Sequence, residues 1–209
     1  MAQRLKAVTV AAALLLPALV QPALAHHVMG GELPNTLWQG LLSGVGHPII
    51  GIDHFAFVIG VGLASYLVGR IALLPLFFIA GTVLGCFVHL QDFDLPGSET
   101  AIVLSLIVLA AIVGMRTKIP VGVLAILFAV AGILHGHAYG ESIVGAEPAP
   151  LGAYVAGFAL IQYGIAVISG TALAMIVARD YLSEAIAMRT AAAAIAFVAA
   201  LSFAGVSLG

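Results

Sequence analysis

At 209 residues the chain has the length of one domain, yet 63% of it is hydrophobic, 8% is charged and its mean hydropathy is +1.20. Soluble domains run near a quarter charged because a folded surface must be wetted, so seven basic and nine acidic residues exclude an ordinary soluble protein and leave lipid as the solvent. A net charge of −2 without a basic cluster excludes a nucleic-acid-binding face, and the single cysteine, Cys86, excludes an intramolecular disulfide and a thiolate-rich metal site.

The chain opens with Arg4 and Lys6, an apolar run from Ala7 to Val20 and the triplet Ala23-Leu24-Ala25, the pattern of a cleavable signal peptide over residues 1–25. Cleavage there predicts a mature chain that starts at His26-His27 on the far side of the membrane. An uncleaved first helix is the alternative, disfavoured by the shortness of the run and by Pro17 and Pro22. Apolar runs near 51–69, 71–90, 100–115, 119–136, 151–178 and 187–207 then predict six spanning helices. Residues 26–209 thus read as an all-α, polytopic integral membrane bundle. The runs lack the alternation of a membrane barrel, and the short third run (100–115) and the long fifth run (151–178) predict tilt or a kink.

With the mature N-terminus outside, the inner junctions lie near 70, 116–118 and 179–189. They hold Arg70, Arg116, Lys118, Arg179 and Arg189, every basic residue after the signal, as the positive-inside rule requires. Both termini then face the periplasm across a bacterial inner membrane. The same topology puts all seven histidines and seven of the nine carboxylates on the outer side, leaving Asp180 and Glu184 inside. Acidic residues filling outer loops account for Glu32, Asp94, Glu99 and Glu147, but not for the histidines.

The first concentrated site is His47-Pro48-Ile49-Ile50-Gly51-Ile52-Asp53-His54, leading into the first predicted span. Ionisable groups at the mouth of a lipid-embedded helix are costly and usually face a cavity or a partner. On a regular helix His47 and His54 share a face and Asp53 points elsewhere, whereas a break at Pro48 and Gly51 lets all three converge. Helix capping is the alternative role for Asp53. The second site is Leu134-His135-Gly136-His137-Ala138-Tyr139-Gly140-Glu141, at the outer end of the fourth predicted span. His135 reads as a ligand, and His137, nearer the water, as a ligand or an interfacial residue. Gly136 reads equally as a hinge or, with Gly132, as a packing position. His89 and Asp92, at the outer end of the second span, could share a helical face, or Asp92 could be the acceptor that fixes an imidazole, or both could be solvated. Imidazole with carboxylate suits Ni²⁺, Co²⁺ or Zn²⁺ far better than Mg²⁺ or Ca²⁺.

These motifs resemble the HupE/UreJ family of nickel and cobalt permeases. The family's His, five residues, Asp-His signature matches His47, Asp53 and His54. Its (Phe)-His-Gly-x-Ala-x-Gly signature followed by a Glu matches His135, Gly136, Ala138 and Gly140. Leu134 stands where Phe is common, and Glu141 follows Gly140 without the usual spacer, which leaves Glu147 as an alternative carboxylate. The resemblance covers essentially the whole chain. It implies a secondary transporter, not an enzyme, that takes up Ni²⁺, in some members Co²⁺, for hydrogenase or urease maturation. Its partners would be the bilayer, the ion and a metallochaperone or maturation protein; it implies no prosthetic group. In this reading outer histidines, including His26 and His27, capture the ion, and His47, Asp53, His54 and His135 replace its waters. His89, Asp92, His137 and Glu141 complete the candidate ligands. No G-x-x-x-x-G-K-[ST] loop occurs, and an inside-negative potential favours entry of a divalent ion by about 4.6 kcal/mol per 100 mV. Two rivals stand beside it: an intramembrane zinc hydrolase, with three histidines on the metal and an Asp activating water, and a metal-binding membrane partner that does not transport. The cytoplasmic half of the spans holds no carboxylate or histidine, and polar residues there such as Ser65, Tyr66, Thr82, Ser169 and Thr171 mostly read as packing groups.

Overall fold

Long apolar runs with few breakers fold as helix, because a backbone in lipid must satisfy its own N–H and C=O groups. The computed structural model describes residues 32–208, which form α1 (Leu37–Ile50), α2 (Ile52–Leu67), α3 (Leu74–His89), α4 (Ser98–Met115), α5 (Val121–Glu141), α6 (Pro148–Ala178) and α7 (Glu184–Leu208), with no strand among them. The expected signal peptide and His26-His27 lie outside the described residues. Each of the six apolar runs coincides with a helix, α2 to α7. The seventh, α1, was not expected: Gln39, Ser43 and His47 interrupt its hydrophobicity. Its start is specified locally, for the Thr36 hydroxyl accepts the Gln39 N–H at 3.2 Å while the Gln39 side-chain oxygen accepts the Asn35 N–H at 2.9 Å.

Helix length does not carry six independent crossings. By length and composition α4, α5, α6 and α7 can each cross a membrane, and α1 with α2 adds a fifth if the pair, bent by 80°, is one broken span. The apolar α3 has 16 residues, about 24 Å against a hydrocarbon core of about 30 Å. At 31 residues α6 reaches about 46 Å, and its excess length gives α1 something to pack on.

Small residues set the pairing. Gly81 and Gly85 of α3 lie against the backbone of α5 at Ala129, Gly132 and Ile133, and Gly136 lies against Thr82, so these two helices run parallel with their backbones in near contact. Gly40 and Gly44 of α1 meet Pro150 and Tyr154 of α6 in the same way, and Gly62 of α2 meets Ala166 further along α6. The main core, with Val58, Val61, Phe78, Leu106, Leu124, Phe128 and Met188, fills the space between α2, α3, α4, α5 and α7. Leu104, Ile107, Ile126, Leu160, Ile168 and Phe197 are exposed, as a lipid-facing belt requires.

These directions segregate the polar groups. The five described histidines lie at one end, on the last turns of α1 and α3, the C-terminal part of α5 and the first turn of α2. Arg70, Arg116, Lys118, Arg179 and Arg189 lie at the other. There the Arg116 guanidinium pairs with Glu184 at 3.3 Å, and the Tyr66 hydroxyl donates to the same carboxylate at 3.2 Å, tying the ends of α2 and α4 to the start of α7.

Candidate metal centre

The break between α1 and α2 is the device that builds the first cluster. Pro48 removes a helical N–H in the last turn of α1, and at Gly51 the backbone turns extended, at φ −68° and ψ 101°. A Cβ at Gly51 would come within 2.7 Å of the His54 ring, so only glycine lets that imidazole fold back toward α1. The His47 and His54 rings consequently lie 5.7 Å apart, centre to centre, although they belong to different helices. His135 enters from α5: its Nδ1 is 2.8 Å from Nδ1 of His54. All three imidazoles are buried, the most exposed being His47 at 3%. The Tyr139 ring stands 4.7 Å from both His47 and His54 and fills the space between them.

The rings of His47 and His135 are held from behind. The hydroxyls of Ser142 and Tyr154 donate to the Tyr139 carbonyl, at 3.0 and 2.9 Å, and lie 3.1 and 3.0 Å from Nδ1 of His47. The two oxygens also lie 3.0 Å from each other, so together they hold the His47 ring by its Nδ1 edge. Nε2 of His135 is 3.1 Å from the Ser105 hydroxyl, itself donating to the Ile102 carbonyl. The half-buried Asp53 accepts the His54 N–H at 2.8 Å, so its carboxylate belongs to the turn that carries His54; it does not cap α2, whose N-cap is Gly51 with no side-chain cap hydrogen bond. Below His135 the route into the bundle is filled by Phe57 and Phe78, whose rings lie 4.4 and 5.7 Å from that imidazole.

A second cluster stands apart. Residues two apart on a helix point about 200° apart, so His137 faces α3 while His135 faces α2 and α4. His137 Nε2 lies 3.0 Å from the Phe93 carbonyl and 3.1 Å from Nδ1 of His89, and one ligand atom each of His89, His137 and Glu141 falls within 4.8 Å of the others. An interfacial position was one expectation for His137, but the ring is fully buried. The cause is that α5 continues to Glu141, five residues past the expected end of the span, and α3 covers it. Asp92 does not join this group: α3 ends at His89, the chain turns left-handed at Asp92 (φ 58°), and its side chain is exposed. Glu147 is an exposed residue capping α6, so Glu141 is the carboxylate beside the histidines. Gly136 serves packing and not a hinge, since α5 is unbroken there and any Cβ would strike Thr82.

Five residues at these sites escaped the sequence reading. Tyr139 lies one turn from His135 at i+4, and Ser142 and Tyr154 orient His47. Ser105 is the hydroxyl within an apolar helix that touches His135. Gln162, the lone amide of α6, donates to the Tyr139 hydroxyl at 2.9 Å and accepts from Thr82 at 3.1 Å. A polar side chain isolated in a long apolar run was the signal available for the last two. Ser65 and Ser169 donate to carbonyls of Val61, Ile59 and Ala166, in keeping with packing roles.

Residues 13–202 match the family described as HupE / UreJ protein. Protein HupE of Rhizobium leguminosarum bv. viciae is 34% identical over 145 residues, which cover 68% of this chain and 72% of that protein. No solved structure matches the chain.

Proposed function

The chain belongs to the HupE/UreJ family, and from that premise we propose that it is a permease for a divalent transition-metal ion, nickel or cobalt, and not an enzyme. The observation that carries the reading is the convergence of His47, His54 and His135, from three helices, on one buried spot at a single end of a membrane bundle. Metal–nitrogen bonds of about 2.0–2.1 Å hold neighbouring ligand nitrogens about 3 Å apart. The His54 and His135 nitrogens already stand at 2.8 Å, so an ion can enter with small ring shifts and displacement of the proton they share. Nε2 of His47 is the third nitrogen, and the adjacent Asp53 carboxylate offsets the charge of the desolvating ion. Ser105, Ser142 and Tyr154 act as the groups behind the ligands that fix ring orientation.

The histidine end faces the periplasm of a bacterial inner membrane and the arginine end the cytoplasm, by the positive-inside rule, after removal of a signal peptide over residues 1–25. Both termini are periplasmic. The ion enters as cargo, driven by the membrane potential, and leaves inward once the Phe57 and Phe78 rings move aside. Hydrogenase or urease maturation proteins, through a metallochaperone, receive it. Radioactive nickel uptake into proteoliposomes with an inside-negative potential tests the reading. His47→Ala, Asp53→Ala, His54→Ala and His135→Ala are each expected to reduce uptake to background. Native rates in all four correctly inserted variants would refute it.

A further inference from the structure

The geometry points to a second divalent-cation site, formed by His89, His137 and Glu141, separate from the centre at His47, Asp53, His54 and His135. Two imidazoles and one carboxylate offer ligand atoms within 4.8 Å of one another, a spacing that the exposed, unbranched Glu141 side chain can close around an ion. The donor set, two nitrogens and one oxygen, is that of a borderline transition metal and not of Mg²⁺ or Ca²⁺.

The state of His137 supplies independent support. A carbonyl can only accept, so the 3.0 Å contact with the Phe93 carbonyl requires a proton on Nε2 and leaves the lone pair of the neutral ring on Nδ1. That Nδ1 is buried and has no hydrogen-bond partner among the described residues. An imidazole anchored through one N–H to a backbone carbonyl, with the other nitrogen unspent, is the arrangement found behind metal-ligating histidines. The backbone is shaped to the same end. A Cβ at Gly140 would fall 2.6 Å from Cβ of His89, so a glycine one residue before Glu141 is what lets His89 lie against α5.

The two sites differ in access. His54 and His135 are sealed among Phe57, Phe78 and Tyr139, whereas the second group pairs one buried histidine with a half-buried one and an exposed carboxylate. An ion arriving from water therefore meets the exposed Glu141 and the half-buried His89 first, with the buried His137 behind them. This role as a loading site rests on the permease reading; the binding itself does not.

Titration of the purified full-length protein in detergent with Co²⁺, followed by visible absorption and equilibrium dialysis, tests the site. His89→Ala is expected to remove one bound equivalent, and His54→Ala a different one, so that the double variant loses both. Glu141→Gln, whose side chain is exposed, guards against misfolding and should weaken the same equivalent as His89→Ala by about tenfold or more. If His89→Ala and Glu141→Gln both leave stoichiometry and affinity unchanged, the second site is overturned and the permease reading stands. Loss of an equivalent with His89→Ala, and none with His54→Ala, sustains the second site and removes the inner centre.

Discussion

Two imidazole clusters hang from the same helix, two residues apart, and differ in almost every physical respect. His135 turns toward a dry spot shared by α1, α2 and α5, where hydroxyls stand behind His47 and His135 and aromatic rings pack on the inward side. His137 turns toward α3, where a carbonyl and a second imidazole meet it and a carboxylate reaches in from the surface. The helical rotation of α5 thus gives two environments from one short motif: one fully buried and packed against aromatic rings, and one in which a buried imidazole is joined by a half-buried imidazole and an exposed carboxylate. Binding strength and ease of access pull against each other, and placing them on opposite faces of a helix avoids a compromise at one site.

The largest expected effect breaks the comparison at its inner side. His54→Ala deletes a buried ring that touches His47, His135 and Tyr139, and uptake should fall to background while binding at the outer cluster persists. Measuring uptake and Co²⁺ stoichiometry on one preparation separates the two. Gly136→Ala acts on both clusters together. Its methyl group would overlap the Thr82 backbone, forcing α3 away from α5 at a cost of about 1–3 kcal/mol, and both His89–His137 and His135 geometry should suffer. Thermal unfolding in detergent would register it, and an unaltered melting temperature would contradict the close backbone approach.

A subtler change isolates the inner cluster. Gln162→Leu leaves the Tyr139 hydroxyl and Thr82 without their shared amide, a loss of about 1–3 kcal/mol for buried groups of this kind. Because Tyr139 is wedged between His47 and His54, ion affinity at the inner centre should drop while affinity at His89, His137 and Glu141 is retained. An equal drop at both would mean that Gln162 serves the fold as a whole.

How far the sequence foretold this arrangement follows from which interactions are local. The approach of His47 to His54 was legible because the residues that break the helix, Pro48 and Gly51, lie between them, and the six apolar runs were legible because hydrophobic length is a local quantity. The pairing of His89 with His137 was not, since it depends on which helices pack together. The glycines at 81, 85, 132 and 136 hinted at close packing without naming the partner. Asp92 failed to join for a similarly local reason that periodicity cannot detect: a left-handed residue ends the helical face on which it was expected to lie. The helix α1 was hidden by its own polar residues, which are there because one of them, His47, faces the buried site.

The opposite end of the bundle provides the control for all of this. Arg116 and Glu184 are paired at 3.3 Å with side chains 42% and 35% exposed, and exposed pairs of this kind contribute about 0–1 kcal/mol. Arg116→Ala should therefore lower the unfolding temperature slightly, by an amount that shrinks as salt is added, because screening already weakens the pair in the native protein. Ion binding at both clusters should be unchanged, as none of the described histidines lies near that end. The Tyr66 hydroxyl still donates to Glu184, so the start of α7 keeps one anchor. A substantial fall in Co²⁺ affinity on Arg116→Ala would show that the arginine end communicates with the histidine end through α4, which carries both Arg116 at its C-terminus and Ser105 against His135. That result would make the two ends one coupled device, and the contrast between the clusters would then have to include the state of the far end.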